Sequence, residues 1–277
     1  MGKSTHSYIF TNRQRYRVAL IGAGNVAWHL VPAIAESHDL VAIYSRSYAS
    51  ADALAKKNTQ LGHLVGQINS LSGVQEFADA DIYIISVSDS ALLDVVNLIE
   101  QKKHNRGTLF LHTSGSMPMN VLSNLSDCYG VFYPLQSFTK SAELNFREVP
   151  ILIEANSVEH TLVLEKFASS ISDTVLHINS SQRRTIHIAA VFACNFANAL
   201  WDIAHKQLER ENIPFSILMP LLKNTLAKLS VMTPALAQTG PAARGDKDLM
   251  QSHIDSLSGE EKEIYSLISN YILNHRQ

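Results

Sequence analysis

The amino-acid sequence predicts an α/β fold: a doubly wound, mostly parallel sheet with helices on both faces, followed by an all-α C-terminal domain. Three observations carry that expectation. Short β-branched runs alternate with helix-length segments from Tyr16 to Ile178, a glycine-rich turn directly follows the first run, and after Asn179 the strand signals vanish. The 277 residues are 46% hydrophobic and 17% charged, enough apolar material for a real core in one to two domains.

Residues 1–15 are polar and aperiodic and read as a flexible tail. Strands follow at Arg17–Ile21, Leu40–Tyr44, Asp81–Val87 and Thr108–His112, with helix-length chain between them. Further candidates are Gly130–Tyr133, Val149–Ile153 and Thr174–Ile178, so seven or eight strands are expected within a first domain of residues 16–179. In the second domain, 180–277, a helical pattern runs from about Gln182 to Asn212 and stops before Pro214. Shorter helices are expected at 216–232 and 247–257. The last helix opens with Ser258-Gly259-Glu260-Glu261, the spacing at which Ser and Glu exchange hydrogen bonds with unpaired backbone N–H groups. Behind it Ile264, Leu267, Ile268, Tyr271 and Ile272 recur at helical spacing, so one face must bury against a neighbour.

Composition excludes several function classes. The 23 Lys and Arg and 25 Asp and Glu are mixed along the chain and leave a formal charge of -2, which argues against a nucleic-acid partner held through phosphates. Two cysteines, Cys128 and Cys194, make no disulfide framework, and no Cys/His spacing suggests a metal. The first residues show no apolar signal core, and His6 stands where a myristoylation pattern requires Ser or Thr. The longest apolar run, Ile188–Cys194, is far below the ~18 to 20 residues of a membrane span. The expectation is a cytoplasmic protein with no membrane contact.

Gly22-Ala23-Gly24-Asn25-Val26-Ala27 follows the first strand and opens a helix. This is GxGxxG with Ala at the last position, which needs only a small side chain for helix-to-strand packing. Gly22 allows the tight turn; Gly24 lets the backbone approach a pyrophosphate, whose charge meets N–H groups at the helix N terminus. A strand before, a helix after and a second strand about 20 residues on give the fingerprint its required setting. Pro32 removes a donor inside that helix and predicts a kink or an early end.

The second strand ends in Tyr44-Ser45-Arg46-Ser47, with no Asp or Glu to accept from a ribose 2′-OH. Ser45 and Ser47 can donate to phosphate oxygens while Arg46 supplies charge and a planar fork, so the reading is NADP. The alternative is a solvated loop arginine. Ser86-Val87-Ser88-Asp89 closes the third clear strand, with Asp89 placed to cap the next helix. His112-Thr113-Ser114-Gly115-Ser116 ends another strand, where carboxyl ends line a ligand crevice.

On the long helix, at about 100° per residue, Arg184, His187, Asn195, Asn198 and Asp202 fall on one stripe. The intervening Ile188–Cys194 segment is strongly apolar, so the asparagines need partners, either in an interhelical hydrogen-bond seam or in a ligand cleft. In Thr239-Gly240-Pro241-Ala242-Ala243-Arg244-Gly245-Asp246 the glycines and proline dictate a turn and Asp246 can cap the helix behind it. Arg244 can clamp a carboxylate or form a salt bridge that fixes the loop.

Together these segments resemble a family of candidate NADP oxidoreductases that fuse a Rossmann-like domain to a helical C-terminal domain of unknown function. The marks are Gly22–Ala27, Val87-Ser88-Asp89, His112–Gly115, Tyr133-Pro134-Leu135-Gln136-Ser137-Phe138, the Arg184/His187/Asn195 helix and Thr239-Gly240-Pro241 with Arg244-Gly245-Asp246. Where the family has His before Pro-Leu-Gln, this chain has Tyr133. More distantly the layout is similar to pyrroline-carboxylate reductases and β-hydroxyacid dehydrogenases; the latter carry a Lys proton donor near the domain junction, and His187 is the nearest substitute here. The resemblance implies a homodimer formed through the helical domains. The residues themselves lead to the expectation of a hydride transfer in the cleft between domains, with the nucleotide on Gly22, Ala23, Gly24, Asn25, Val26, Ser45, Arg46, Ser47, Val87 and Ser88. A small, carboxylated substrate is expected on Thr113, Ser114, Arg184, Asn198 and Arg244, with His187 moving the proton beside Asn195. A second reading, motivated by the missing Lys, is a protein that senses NADP(H) without turnover.

Overall fold

The computed structural model describes residues 14–62 and 65–275, so most of the expected tail lies outside the described residues. At its end Arg15 is fixed, donating from Nε to Asp39 Oδ1 at 2.9 Å and from its terminal nitrogen to the His38 carbonyl at 2.8 Å. The chain forms two compact units, residues 1–191 and 192–277. That division lies beyond residue 179, because the helix that begins at Ser180 is tied by side chains to the first unit.

The first unit is built on an eight-stranded sheet: β1 Arg17–Ile21, β2 Asp39–Ser45, β3 Gln67–Ser70, β4 Ile82–Ile85, β5 Leu109–His112, β6 Tyr129–Pro134, β7 Ile151–Ala155 and β8 Val175–His177. Their order is β3-β2-β1-β4-β5-β6-β7-β8. All neighbours are parallel except β6 and β7. Two-residue alternation explains the layering. Val18 and Leu20 of β1 and Ile82 and Ile84 of β4 join one apolar core; Ala19, Ile21, Tyr83 and Ile85 join the core on the other face. Helices α1 Asn25–Ser37, α2 Tyr48–Gln60 and α4 Val158–Ser169 cover the first face, and α3 Asp89–Glu100 the second. The strand absent from the sequence reading is β3. Its sequence Gln-Ile-Asn-Ser is polar, edge-placed and partly exposed, so it carries no β-branched run.

The proline in α1 neither kinks the helix into two elements nor ends it. Pro32 cannot donate to the carbonyl four residues earlier, that of Trp28. Lys57 of α2 donates to that carbonyl at 2.7 Å, and its ammonium lies 4.5 Å from the Trp28 ring centroid. Burial lowers the Lys57 pKa.

Helix α5 Ser180–Ala190 begins two residues earlier than expected, behind a capping box in which Asn179 accepts from the Gln182 N–H and Gln182 accepts from the Asn179 N–H. It passes into a π-helical segment, Val191–Phe196, and then α6 Ala197–Arg210. The helical run Ser180–Arg210 is long and apolar enough, by length and composition alone, to cross a membrane, which counting consecutive apolar residues does not reveal.

The second unit continues with α7 Met219–Lys228, α8 Pro234–Ala237, α9 Pro241–Arg244, α10 Lys247–Ser256 and α11 Gly259–Asn274. The expected capping box at α11 does not form: Ser258 makes no side-chain cap. Its Glu261 is drawn instead to α6, accepting from Gln207 and from both terminal nitrogens of Arg210 at 3.1 and 2.9 Å. A charge-assisted bidentate pair outcompetes a neutral cap. Asp246 does cap α10, accepting from the Leu249 N–H at 3.2 Å.

Candidate functional site

From β1 the chain winds outward through β2 and β3, then returns to the other side of β1 as β4, which makes the carboxyl ends of β1 and β4 a topological switch point. Gly22 stands there with φ +117°, and a Cβ on it would overlap the Ser86 carbonyl oxygen. The protein's own backbone therefore requires glycine. A Cβ on Gly24 would meet no protein atom within 4 Å. Nothing inside the chain requires that bare Cα, which leaves the loop open to close approach by a ligand. No side chain caps the N terminus of α1 and its first turn holds no acidic residue, so its N–H groups and positive dipole end are available to an anion.

These groups border a cavity of about 450 Å³ lined by Gly22, Ala23, Gly24, Asn25 and Val26 on one side and Val87 and Ser88 on another. At the tip of β2, Ser45, Arg46 and Ser47 join the lining; Arg46 is its one charged residue and no carboxylate is among it. Ser47 sits at the N-cap of α2 without capping it, which leaves its hydroxyl uncommitted to the helix. Ser50, in the first turn of α2, also lines the cavity and was not legible in the sequence, since nothing in Tyr48-Ala49-Ser50 marks it. The cradle fits a dinucleotide: open backbone for a pyrophosphate, and hydroxyls with one guanidinium for a ribose phosphate. The Asn25 side chain is not aimed at a phosphate. Its amide donates to the Phe138 carbonyl at 3.0 Å, and His29 Nε2 donates to the Thr139 carbonyl at 2.8 Å, tying the loop after β6 to the start of α1.

A second cluster gathers the ends of β4, β5 and β6 with α5. Asp89 lies inside α3 rather than at its cap, a place taken by Ser88; its carboxylate accepts from the Ser116 hydroxyl and links the loops after β4 and β5. Thr113 and Ser114 are buried. Ser114 Oγ accepts from the N–H groups of Ser116 at 3.1 Å and Met117 at 2.9 Å, so this hydroxyl shapes its own turn. His112 is fully buried and accepts from the Ser114 N–H at Nδ1. Burial, with a contribution from the Arg183 guanidinium, pushes its pKa down to about 4, against the opposing Pro118 carbonyl, Asp89 and Glu154.

His187 of α5 points into this cluster, with its Nδ1 3.1 Å from the Tyr133 hydroxyl. Of the two adjacent arginines, Arg184 is exposed, whereas Arg183, one turn before His187, is 1% exposed. Arg183 donates to Glu154 at 2.6 Å, to the Met117 carbonyl at 2.6 Å and to Ser180 Oγ at 3.2 Å. The wheel that grouped Arg184, His187, Asn195, Asn198 and Asp202 therefore does not describe the chain. The π-helical segment takes in an extra residue per turn, so positions after Val191 rotate away from the 3.6-residue register. Asn195 and Asn198 are exposed in the second unit, where Asp202 pairs with Lys206 at 2.6 Å. Arg244 is exposed at the end of α9, before Gly245 in the left-handed region at φ +73°. Tyr133, Gly115 and Arg183 are the site's members that sequence reasoning did not select. The family motif before Pro-Leu-Gln had marked the Tyr133 position, and the i,i+4 spacing of Arg183 and His187 could have drawn attention to the arginine.

Two family descriptions match the chain: a Rossmann-like domain over residues 2–136, and a domain of unknown function, DUF2520, over residues 149–272. Among solved structures, a candidate NADP oxidoreductase from Bacteroides fragilis is 36% identical, covers 95% of this chain and 99% of its own, and superposes with a TM-score of 0.85. A protein from Thermotoga maritima, at 20% identity, covers 92% and 96% with a TM-score of 0.66. A reductive aminase from Aspergillus terreus, determined in complex with NADPH and ethyl levulinate, shares the fold at 13% identity, 87% and 78% coverage and a TM-score of 0.56. Among curated proteins no sequence matches the chain.

Proposed function

The chain belongs to the family of the Bacteroides fragilis candidate NADP oxidoreductase, joining a Rossmann-like domain to a DUF2520 domain, and from that premise we propose an oxidoreductase that moves hydride between NADP(H) and a small carboxylated carbonyl, imine or hydroxyl substrate. The observation that carries the reading is the cradle: an unobstructed Gly24 beside an uncapped helix N terminus, and Ser45-Arg46-Ser47 with no carboxylate at the tip of β2. Backbone groups of Gly22, Ala23, Gly24, Asn25 and Val26 hold the pyrophosphate, and Ser45, Arg46 and Ser47 hold the 2′-phosphate. Val87 and Ser88 line the opposite wall.

NADPH, when bound, supplies the hydride. What the protein adds is orientation and one proton. Thr113, at the carboxyl end of β5, offers a hydroxyl to the substrate; Ser114 keeps its proton for donation while it accepts from two N–H groups. His187 carries the proton, since an imidazole nitrogen can both accept and donate one. Arg184 is an exposed guanidinium suited to a substrate carboxylate. The assembly is a homodimer through the helical unit, a reading supported by the large apolar side chains that unit leaves in the open.

Calorimetric titration with NADPH and with NADH, repeated on Arg46→Ala, tests the assignment. The expected result is NADPH preference in the native chain and a loss of about ten- to a hundredfold in NADPH affinity in the variant, with NADH affinity unchanged. Failure to bind either nucleotide overturns it.

A further inference from the structure

The motif Tyr133-Pro134-Leu135-Gln136 has no part in the reaction as described so far. We propose that Tyr133 is the positioning residue of His187, holding the ring through Nδ1 so that Nε2 is the nitrogen that exchanges the proton. This deepens the functional reading above and rests on His187 being the proton carrier.

Four observations carry it. The Tyr133 hydroxyl is 3.1 Å from Nδ1, and the two rings meet edge to face at 6.1 Å between centroids. The backbone beneath them is cut to fit: a Cβ on Gly115 would come within 2.6 Å of His187 Nδ1 and 2.9 Å of Tyr133 Cζ. The helix end that carries His187 is fixed by the Asn179/Gln182 capping box and by buried Arg183, whose donors reach Glu154 and the Met117 carbonyl. Finally, burial pushes the Tyr133 phenol pKa up, nearby Asp89 adds to the rise, and Arg183 opposes it. The phenol therefore stays protonated and neutral beside the ring.

A phenol oxygen suits this task because it accepts from Nδ1–H whether His187 is neutral or protonated. Nδ1 keeps its proton, Nε2 alone gains and loses one, and the ring keeps one orientation through both halves of the proton cycle. In the reductive direction the C=O or C=N π pair moves onto oxygen or nitrogen as hydride reaches carbon. That atom takes the Nε2 proton, leaving neutral His187, which regains a proton from water.

Selective ¹⁵N labelling of histidine, with His187 assigned by its loss in His187→Gln, tests the pairing without nucleotide or turnover. The native chain should show neutral His187 as one tautomer, Nδ1 protonated and hydrogen-bonded, Nε2 unprotonated. Tyr133→Phe keeps the ring and its packing; it should move both His187 nitrogens toward a mixed-tautomer pattern and leave NADPH affinity within twofold. Gly115→Ala, a second variant, should produce the same signature by pushing the rings apart. With any keto acid or cyclic imine that is turned over, Tyr133→Phe should lower kcat at least tenfold at unchanged KM for NADPH. His187 signals identical in all three proteins, or an unaltered kcat, overturn the proposal. Absence of NADPH binding is a separate result, which overturns the functional reading and not the pairing.

Discussion

In the first unit, side chains from alternate positions of β1, β4 and β5 disappear into two cores, and polar groups buried with them are held there: His112 accepts at Nδ1 from the Ser114 N–H, and the terminal nitrogens of Arg183 reach Glu154 and the Met117 carbonyl. The second unit is the reverse: among its described residues only Ala242 and Met250 are buried apolar side chains, while Leu221, Leu226, Val231, Leu236, Leu267 and Tyr271 are more than half exposed. One region closes its own hydrophobic account within the chain, and the other does not. The difference teaches where each kind of stability sits. A polar or charged substitution inside the sheet unit is expensive at any protein concentration, whereas the helices depend on what covers them.

The largest effect expected is at Arg183. Replacing it with Met leaves Glu154 without its counter-ion and removes the tie to the Met117 carbonyl, at a cost of about 3 to 5 kcal/mol in denaturant-unfolding stability. Adding Glu154→Gln should recover much of that loss, because the uncompensated charge goes with it. A cost below about 1 kcal/mol would break the comparison, since it would mean that the sheet unit tolerates a partly buried carboxylate without its counter-ion.

Acid comes next. His38, packed on Phe167 and hydrogen-bonded to the Tyr16 N–H and Ser170 Oγ, has its pKa pushed down to about 4, as His112 does, chiefly by burial in both cases. Unfolding releases each ring to an ordinary pKa near 6.5, so between about pH 6.5 and 4 the unfolded chain binds more protons than the folded one. Stability is therefore fully present above about pH 6.5 and falls as pH drops through that window, by on the order of 3 kcal/mol for each histidine. Urea denaturation across that range checks it, and His38→Gln should flatten the curve.

That both histidines lie where acid finds them could not be read from the sequence, and the reason is general to this chain. The fold class, seven of the eight strands and the glycine turn were legible because they depend on local period and on backbone that only glycine adopts. Strand β3 was not, because its Gln-Ile-Asn-Ser sequence is held by Ala42–Ser45 of β2 and not by its own propensity. Within the candidate site, Gly22, Gly24, Ser45, Arg46 and Ser47 were expected from the sequence because the fingerprint and the end of the second strand fix their places, and all five line one cavity. Tyr133 and Gly115 were missed because their meeting with His187 joins residues 54 or more apart in part of the cluster, and no periodicity reports such distances. The helical stripe failed for another reason: a π-helical insertion is invisible to a 3.6-residue wheel.

A smaller effect sharpens the same contrast at one hydrogen bond. Lys57→Met keeps the aliphatic stem against Trp28 but withdraws the ammonium from the carbonyl that Pro32 leaves unpaired, at an expected cost of about 1 to 2 kcal/mol. Converting Pro32 to Ala in that background restores the in-helix donor and should recover most of the loss. Lys57→Met stability equal to the native chain would show that water serves the carbonyl as well as the lysine does.

The smallest change is expected on the exposed apolar face of the last helix. Leu267 of α11 is 73% exposed, so Leu267→Ser removes little burial from the chain itself, and unfolding of dilute protein should shift by no more than about 0.5 kcal/mol. If the helical unit is covered by a second copy, the native chain's midpoint rises with protein concentration, and Leu267→Ser lowers that slope without touching the dilute limit. The two limits separate what the chain supplies from what its partner supplies. A loss of several kcal/mol at high dilution would place Leu267 inside a core that one chain completes alone, and would erase the difference between the two units at one of the residues that draw it.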